Sequence, residues 1–215
     1  MCIDSWLHGI NHETVNKGVF LQPERAFMEW LTVELAPILL GSKPATILSL
    51  ANSKSSQLLT IWRKCGSELV ANSMIRFLRM RQSETKEIIL FYRTDILDQY
   101  LKDSQNKCFL EGLGYCVEAG VDRCLSLLQM RYRTYCPHEI GIFLGIPLKD
   151  VLGFMDKTDL PLTYKGAWYV YGDPNESRSI MEKFTADRFY ISFLLTRGMY
   201  PDEILNGKIM GTHCA

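Results

Sequence analysis

Acid–base chemistry near neutral pH calls first on histidine, whose imidazole titrates close to that range. Of the four histidines, His8 and His12 lie near one end and His213 near the other, which leaves His138 alone in the body of the chain. Glu139 follows it and Cys136 stands two residues before it. A histidine and a carboxylate are the usual parts of an acid–base pair, and a neighbouring thiol would add a nucleophile. Helix geometry works against that combination, because adjacent residues lie about 100° apart around the axis and do not share a face. His138 and Glu139 are therefore the candidate catalytic pair, with capping and packing as the competing roles. A second set of polar residues falls at expected turns and strand ends: Lys43, Tyr92, Arg93 and Tyr171. The ends of strands are where α/β sheets place ligand contacts. Together with His138, these four make up the candidate ligand-binding set.

Other polar stretches fit known chemistry less well. Gly41-Ser42-Lys43-Pro44 has glycine and lysine but not the spacing of a phosphate-binding loop, so a solvated turn lysine is the preferred reading over a phosphate ligand. Asn52 to Ser56 follows an expected strand and precedes a helix. Its donors suit an anion, although an ordinary helix cap explains them better. His8, His12 and Glu13 reverse the order of the metalloprotease motif. The seven cysteines have no paired spacing: Cys108, Cys116 and Cys124 recur at intervals of eight, which matches no zinc-binding pattern. No metal site is expected, and the residues specify no cofactor.

The elements that must position these groups follow from periodicity. Pro23 opens a helix running to about Leu40, with Phe27, Trp30, Leu31, Leu35 and Ile38 as its apolar stripe and Pro37 as a break. Residues 46–50 read as a strand, and a helix follows with Leu58, Leu59 and Trp62 inward. Residues 75–80 and 87–92 read as a hairpin, and the unbroken apolar run Ile88 to Phe91 predicts a central strand. Further helices are expected at about 94–101, 117–135 and 176–197. The last carries Ile180, Phe184, Tyr190, Phe193 and Leu194 on its inner face. Trp168 to Tyr171 is aromatic and β-branched, hence a strand.

The densest run of signals lies at 137–156. Pro137 suits a first helical turn, Gly145 ends that helix in the left-handed region, and Pro147 starts a second helix. Leu148, Val151, Leu152 and Met155 fall on one face of the second helix, with Lys149, Asp150, Gly153 and Asp156 on the other. The shape matches a DNA-binding helix-turn-helix. A recognition helix needs cations or amides toward the groove, and this face offers two acids against one base. A packed helical corner is the better reading.

The same run, His-Glu-Ile-Gly-Ile-Phe-Leu-Gly-x-Pro-Leu-x-Asp-Val-x-Gly-Phe, resembles the signature of a bacterial family called domain of unknown function 3793. Three other segments fit: Ala36-Pro37 with Gly41-x-Lys43-Pro44, then Leu90-x-Tyr92-Arg93, then Trp168-x-Val170-Tyr171-Gly172-Asp173. The likeness covers roughly residues 30–195. Two positions depart from it: Cys136 where the family usually has an aromatic residue, and Ile146 where it has tyrosine. The first departure argues against Cys136 as a shared nucleophile. The resemblance implies an origin mainly in anaerobic Gram-positive bacteria, no established activity, and an association with iron or flavin metabolism.

Composition sets the remaining bounds. Lysine plus arginine equals aspartate plus glutamate at 24 each, so no charged partner is implied and nucleic acid is disfavoured. Apolar residues make up 47% and no run approaches membrane-spanning length. The first residues lack the features of a signal peptide, so a cytoplasmic protein with reduced cysteines is expected. The expectation is an α/β fold: a small mixed sheet of about four short strands covered by helices, with the helix-turn-helix-like corner at 137–156. Residues 1–22 are expected to be a loosely ordered segment, 23–198 a single domain and 199–215 a tail. The expected function is that of a small-ligand-binding or accessory protein, with a small molecule or a protein as partner and no membrane. The alternatives are an enzyme using His138 and Glu139, and the DNA-binding reading.

Overall fold

The computed structural model describes residues 23–207. The expectations placed on residues 1–22, with His8, His12 and Glu13, and on residues 208–215 lie outside the described residues. Within them the fold is α/β, with ten α-helices and two small antiparallel sheets. The strands expected in one mixed sheet are thus divided between two sheets, and every strand pair among the described residues is antiparallel. The chain separates into two compact units, Leu97–Lys183 and residues 23–96 with 184–207.

In the second of these, helix α1 (Pro23–Glu34) stops just before Pro37, and the chain continues as the single turn α2 (Ala36–Leu39). This is the break that proline was expected to impose, since it can donate no helical hydrogen bond. Strands β1 (Ala45–Ala51), β2 (Arg76–Gln82) and β3 (Lys86–Tyr92) form a sheet in the order β1-β3-β2. β3 is central, as its apolar run predicts. Helix α3 (Leu58–Ala71) lays Trp62 edge-on against Phe77 and Phe91, at 5.1 and 5.3 Å between ring centroids. Leu31, Leu35, Ile38, Leu59 and Ile191 complete this core. Glu87 is fully buried in β3 and accepts from Arg63 and Arg79, at 2.7 and 3.0 Å. Two guanidinium partners make that burial tolerable.

In the unit Leu97–Lys183, α4 (Thr94–Lys102) leads in and is followed by α5 (Ser104–Gly112), a 3₁₀ turn at Val117–Ala119 and α6 (Val121–Thr134). α6 buries Val121, Cys124, Leu125, Leu128 and Tyr132. The corner consists of α7 (Ile140–Phe143) and α8 (Leu148–Phe154), turned at Gly145 with φ of 75°. A two-stranded ribbon of β4 (Leu162–Lys165) and β5 (Tyr169–Tyr171) packs on α8. Nothing in the sequence pattern marks β4 as a strand. All four of its residues are exposed, so no buried side imposed the alternation that marks a strand.

Helix α9 (Asn175–Thr196) follows. Past Gly198, where the tail was expected to begin, α10 (Pro201–Leu205) forms a further helix with Ile204 and Leu205 in the core. Its capping box links Tyr200 and Glu203, and five residues are too short for periodicity to reveal.

Candidate functional site

The turn between α2 and β1 carries Lys43. Its ammonium donates to Thr46 Oγ1 at 3.3 Å and lies 5.0 Å from the centre of the Phe184 ring. Burial holds this ammonium well below the ordinary lysine range, at about 7. Repulsion from the Arg188 guanidinium lowers it further, and Glu34 opposes both. The residue as a whole keeps partial exposure, although its amine is desolvated.

α1 and α9 complete the cluster. Ser42 donates to the buried carboxylate of Asp187. Arg188 Nε is buried and has no hydrogen-bond partner among the described residues, while Glu34 Oε2 stands 3.7 Å away. A buried donor without a hydrogen bond costs up to about 1–3 kcal/mol, and the Glu34 carboxylate at 3.7 Å offsets only part of that, so this atom can gain from a closer acceptor. Arg188, a lysine only partly protonated near neutral pH, and the Glu34 and Asp187 carboxylates thus gather around one turn.

Arg93 borders the same turn. Its guanidinium donates to Asp95 Oδ1 and Oδ2 at 3.1 and 2.5 Å and to Leu39 O at 3.4 Å. Its backbone N–H donates to Pro44 O at 3.1 Å. Arg93 therefore ties the end of β3 to the loop that presents Lys43. Tyr92 is buried in β3 opposite Ala45. Of the candidate ligand-binding residues, Lys43, Tyr92 and Arg93 thus surround one turn.

His138, Glu139 and Tyr171 lie in the unit Leu97–Lys183. Glu139 is buried and accepts from Tyr115 Oη at 3.1 Å and from Arg131 Nη1 at 2.6 Å. Burial, and the Glu139 charge next, raise the Tyr115 phenol far above its usual range. His138 stands edge-on to Phe154 with centroids 5.0 Å apart. The two side chains of the candidate catalytic pair, in the turn that precedes α7, therefore make separate contacts.

The organising group of this unit is Asp150. Expected on the outer face of α8, it is instead 0% exposed. Its carboxylate accepts from Trp168 Nε1 at 2.8 Å, Ser177 Oγ at 2.6 Å, the Tyr171 N–H at 2.9 Å and Lys149 Nζ at 2.9 Å. Lys149 also donates to Tyr171 O and to Ser177 Oγ, at 3.1 and 3.0 Å. Four donors, one of them the Lys149 countercharge, repay the burial of a carboxylate that would otherwise cost several kcal/mol. Gly153, expected outward too, is packed against the Tyr171 ring. At Asp150 and Gly153 the face assigned to groove reading is thus turned inward on β5, whereas Asp156 is exposed.

A family model described as "Protein of unknown function (DUF3793)" matches residues 31–205. The chain belongs to the DUF3793 family. No curated protein matches it, and no solved structure does. Two of the segments that carried the resemblance, the corner at 138–154 and the stretch at 168–173, meet in the Asp150 network. No helix of the described residues is long and apolar enough to cross a membrane. Among them, no group of three or more His, Cys, Asp or Glu is placed to hold a metal.

Sequence reasoning missed Glu34, Asp187 and Arg188. The signal lay in α9, where positions 184, 187, 188 and 191 share a face. Two charges on a stripe bounded by Phe184 and Ile191 mark a polar cluster at the edge of a core. Phe193, placed on the inner face instead, is 55% exposed.

Proposed function

We propose that the protein binds a small molecule at the turn between α2 and β1, through Lys43 and Arg188. The observation that carries this reading is the buried Arg188 Nε without an acceptor, beside a desolvated lysine amine. Both are donors, so the ligand presents acceptor oxygens. Charge narrows the class. With two carboxylates, Glu34 and Asp187, beside Arg188 and a lysine only partly protonated near neutral pH, a multiply charged phosphate would be poorly compensated, and a single carboxylate or a carbonyl suits the cluster better. The association with iron or flavin metabolism rests on the family resemblance and enters as a choice of probes.

The test is calorimetric titration of the full chain with lactate, citrate, inorganic phosphate and flavin mononucleotide. Lactate should bind, and R188Q should weaken it at least about tenfold, the loss expected for one charge-assisted contact. K43M, with its fold verified by circular dichroism, should weaken it as well. Lactate heats unchanged in both variants, or no binding by any probe, would refute the proposal.

A further inference from the structure

We infer that Lys43 forms an imine with a small 2-oxo acid, with Arg188 holding the ligand's carboxylate. This rests on the ligand-binding reading above and names its substrate class. Three arrangements support it. The Lys43 amine lies against the Phe184 ring with Thr46 Oγ1 as its hydrogen-bond partner, so two of its three donor positions are uncommitted to the described protein groups. Arg188 stands close enough to repel it and has a donor to spare. Lys43 as a whole keeps partial exposure, which places it at the margin of its unit and not at the centre of the core.

Imine formation needs the free amine, since the ammonium has no lone pair. Desolvation and a neighbouring cation are the two devices that supply it, and Lys43 has both. Held at about 7, Lys43 offers about a thousandfold more free amine at neutral pH than an ordinary lysine at 10.5. The step balances without an outside oxidant. The amine nitrogen bonds to the carbonyl carbon and gives a carbinolamine. Its hydroxyl takes up a proton and leaves as water, and the nitrogen lone pair closes the C=N bond. The protonated product keeps one hydrogen on nitrogen.

Full-length protein is incubated with pyruvate at neutral pH and reduced with cyanoborohydride, whose hydride converts the imine to a stable secondary amine. Peptide mass spectrometry then locates the adduct. Lys43 should be labelled at least about tenfold above any other lysine, as its larger free-amine fraction requires. K43R should lose this label while keeping the positive charge, and R188Q should reduce it. Lactate has the carboxylate but no carbonyl, so it should compete with labelling and form no adduct. If lactate binds but pyruvate labels Lys43 no more than other lysines, imine chemistry is refuted and the ligand-binding reading survives. If neither binds, both fall.

Discussion

Replacing Lys43 with methionine should change the slope of stability against pH more than its height. In the folded chain the ammonium is held at about 7 by burial and by Arg188, against 10.5 for an unperturbed lysine. Between these values the unfolded chain carries one proton more than the folded chain. Stability therefore rises with pH through that window, at about 1.4 kcal/mol per unit for a fully desolvated group. Below the folded value the penalty is present in full, because the buried amine must accept a proton. Above the unfolded value it is gone. From about pH 7 to about pH 9 the gain is roughly 1–2 kcal/mol, once solvent screening at the partly exposed side chain is allowed for.

K43M keeps most of the side-chain volume and places a thioether over Phe184, a favourable contact. It should be more stable than the natural chain near pH 6, with the two converging as pH rises. Glu34, Asp187 and Arg188 face the site in both proteins, so subtraction cancels contributions they share. Urea unfolding followed by tryptophan fluorescence reports this unit through Trp62 in its core. Parallel stability curves for the two proteins across the window would show that the amine is not desolvated, and the imine inference would lose its chemical basis.

Two further predictions concern the corner. D150N should lower stability by about 3–5 kcal/mol, because all four groups on the carboxylate can donate and neither orientation of an amide avoids placing its NH₂ against donors. Thermal unfolding measures this, and a change below about 1 kcal/mol would contradict the network's role. A Cβ at Gly153 would lie 2.2 Å from Tyr171 Cγ, so G153A should cost about 1–3 kcal/mol. In a Y171A background the same change should become neutral or favourable, since alanine is the better helix former.

The sequence made the helices and the central strand legible because one-sided burial writes itself as periodicity. α3 and β3 stand where the apolar pattern puts them. β4 was hidden because it has no buried side, and α10 because it is too short. On α8 the failure was different. Polar type was read as exposure, yet Asp150 is inside because Trp168, Tyr171, Ser177 and Lys149 neutralise it, and three of those lie 18 to 27 positions away. Pairing at such separations has no local signature. Lys43 was legible as a turn lysine, but its desolvation arises from Phe184 and Arg188 on a helix far along the chain.

The contrast between the two clusters bears on what the DUF3793 segments encode. Asp150 and Lys149 have their polar capacity used by one another and by Trp168, Tyr171 and Ser177, and Glu139 is similarly engaged by Tyr115 and Arg131. A ligand arriving at either carboxylate would have to break charge-assisted bonds worth about 1.5–3 kcal/mol each before making its own. The most recognisable stretch of the chain is thus poorly suited to chemistry at those groups and well suited to fixing how α8 meets β5. At Lys43 and Arg188 the balance reverses. One donor is buried without an acceptor and one ammonium is held near neutrality, so a ligand oxygen there would relieve a cost already present in the fold. Lys43 belongs to a family segment while Arg188 lies in none of those that carried the resemblance. The proposed site therefore joins a segment that carried the resemblance to a face of α9 that did not, and R188Q tests the second part separately from K43M.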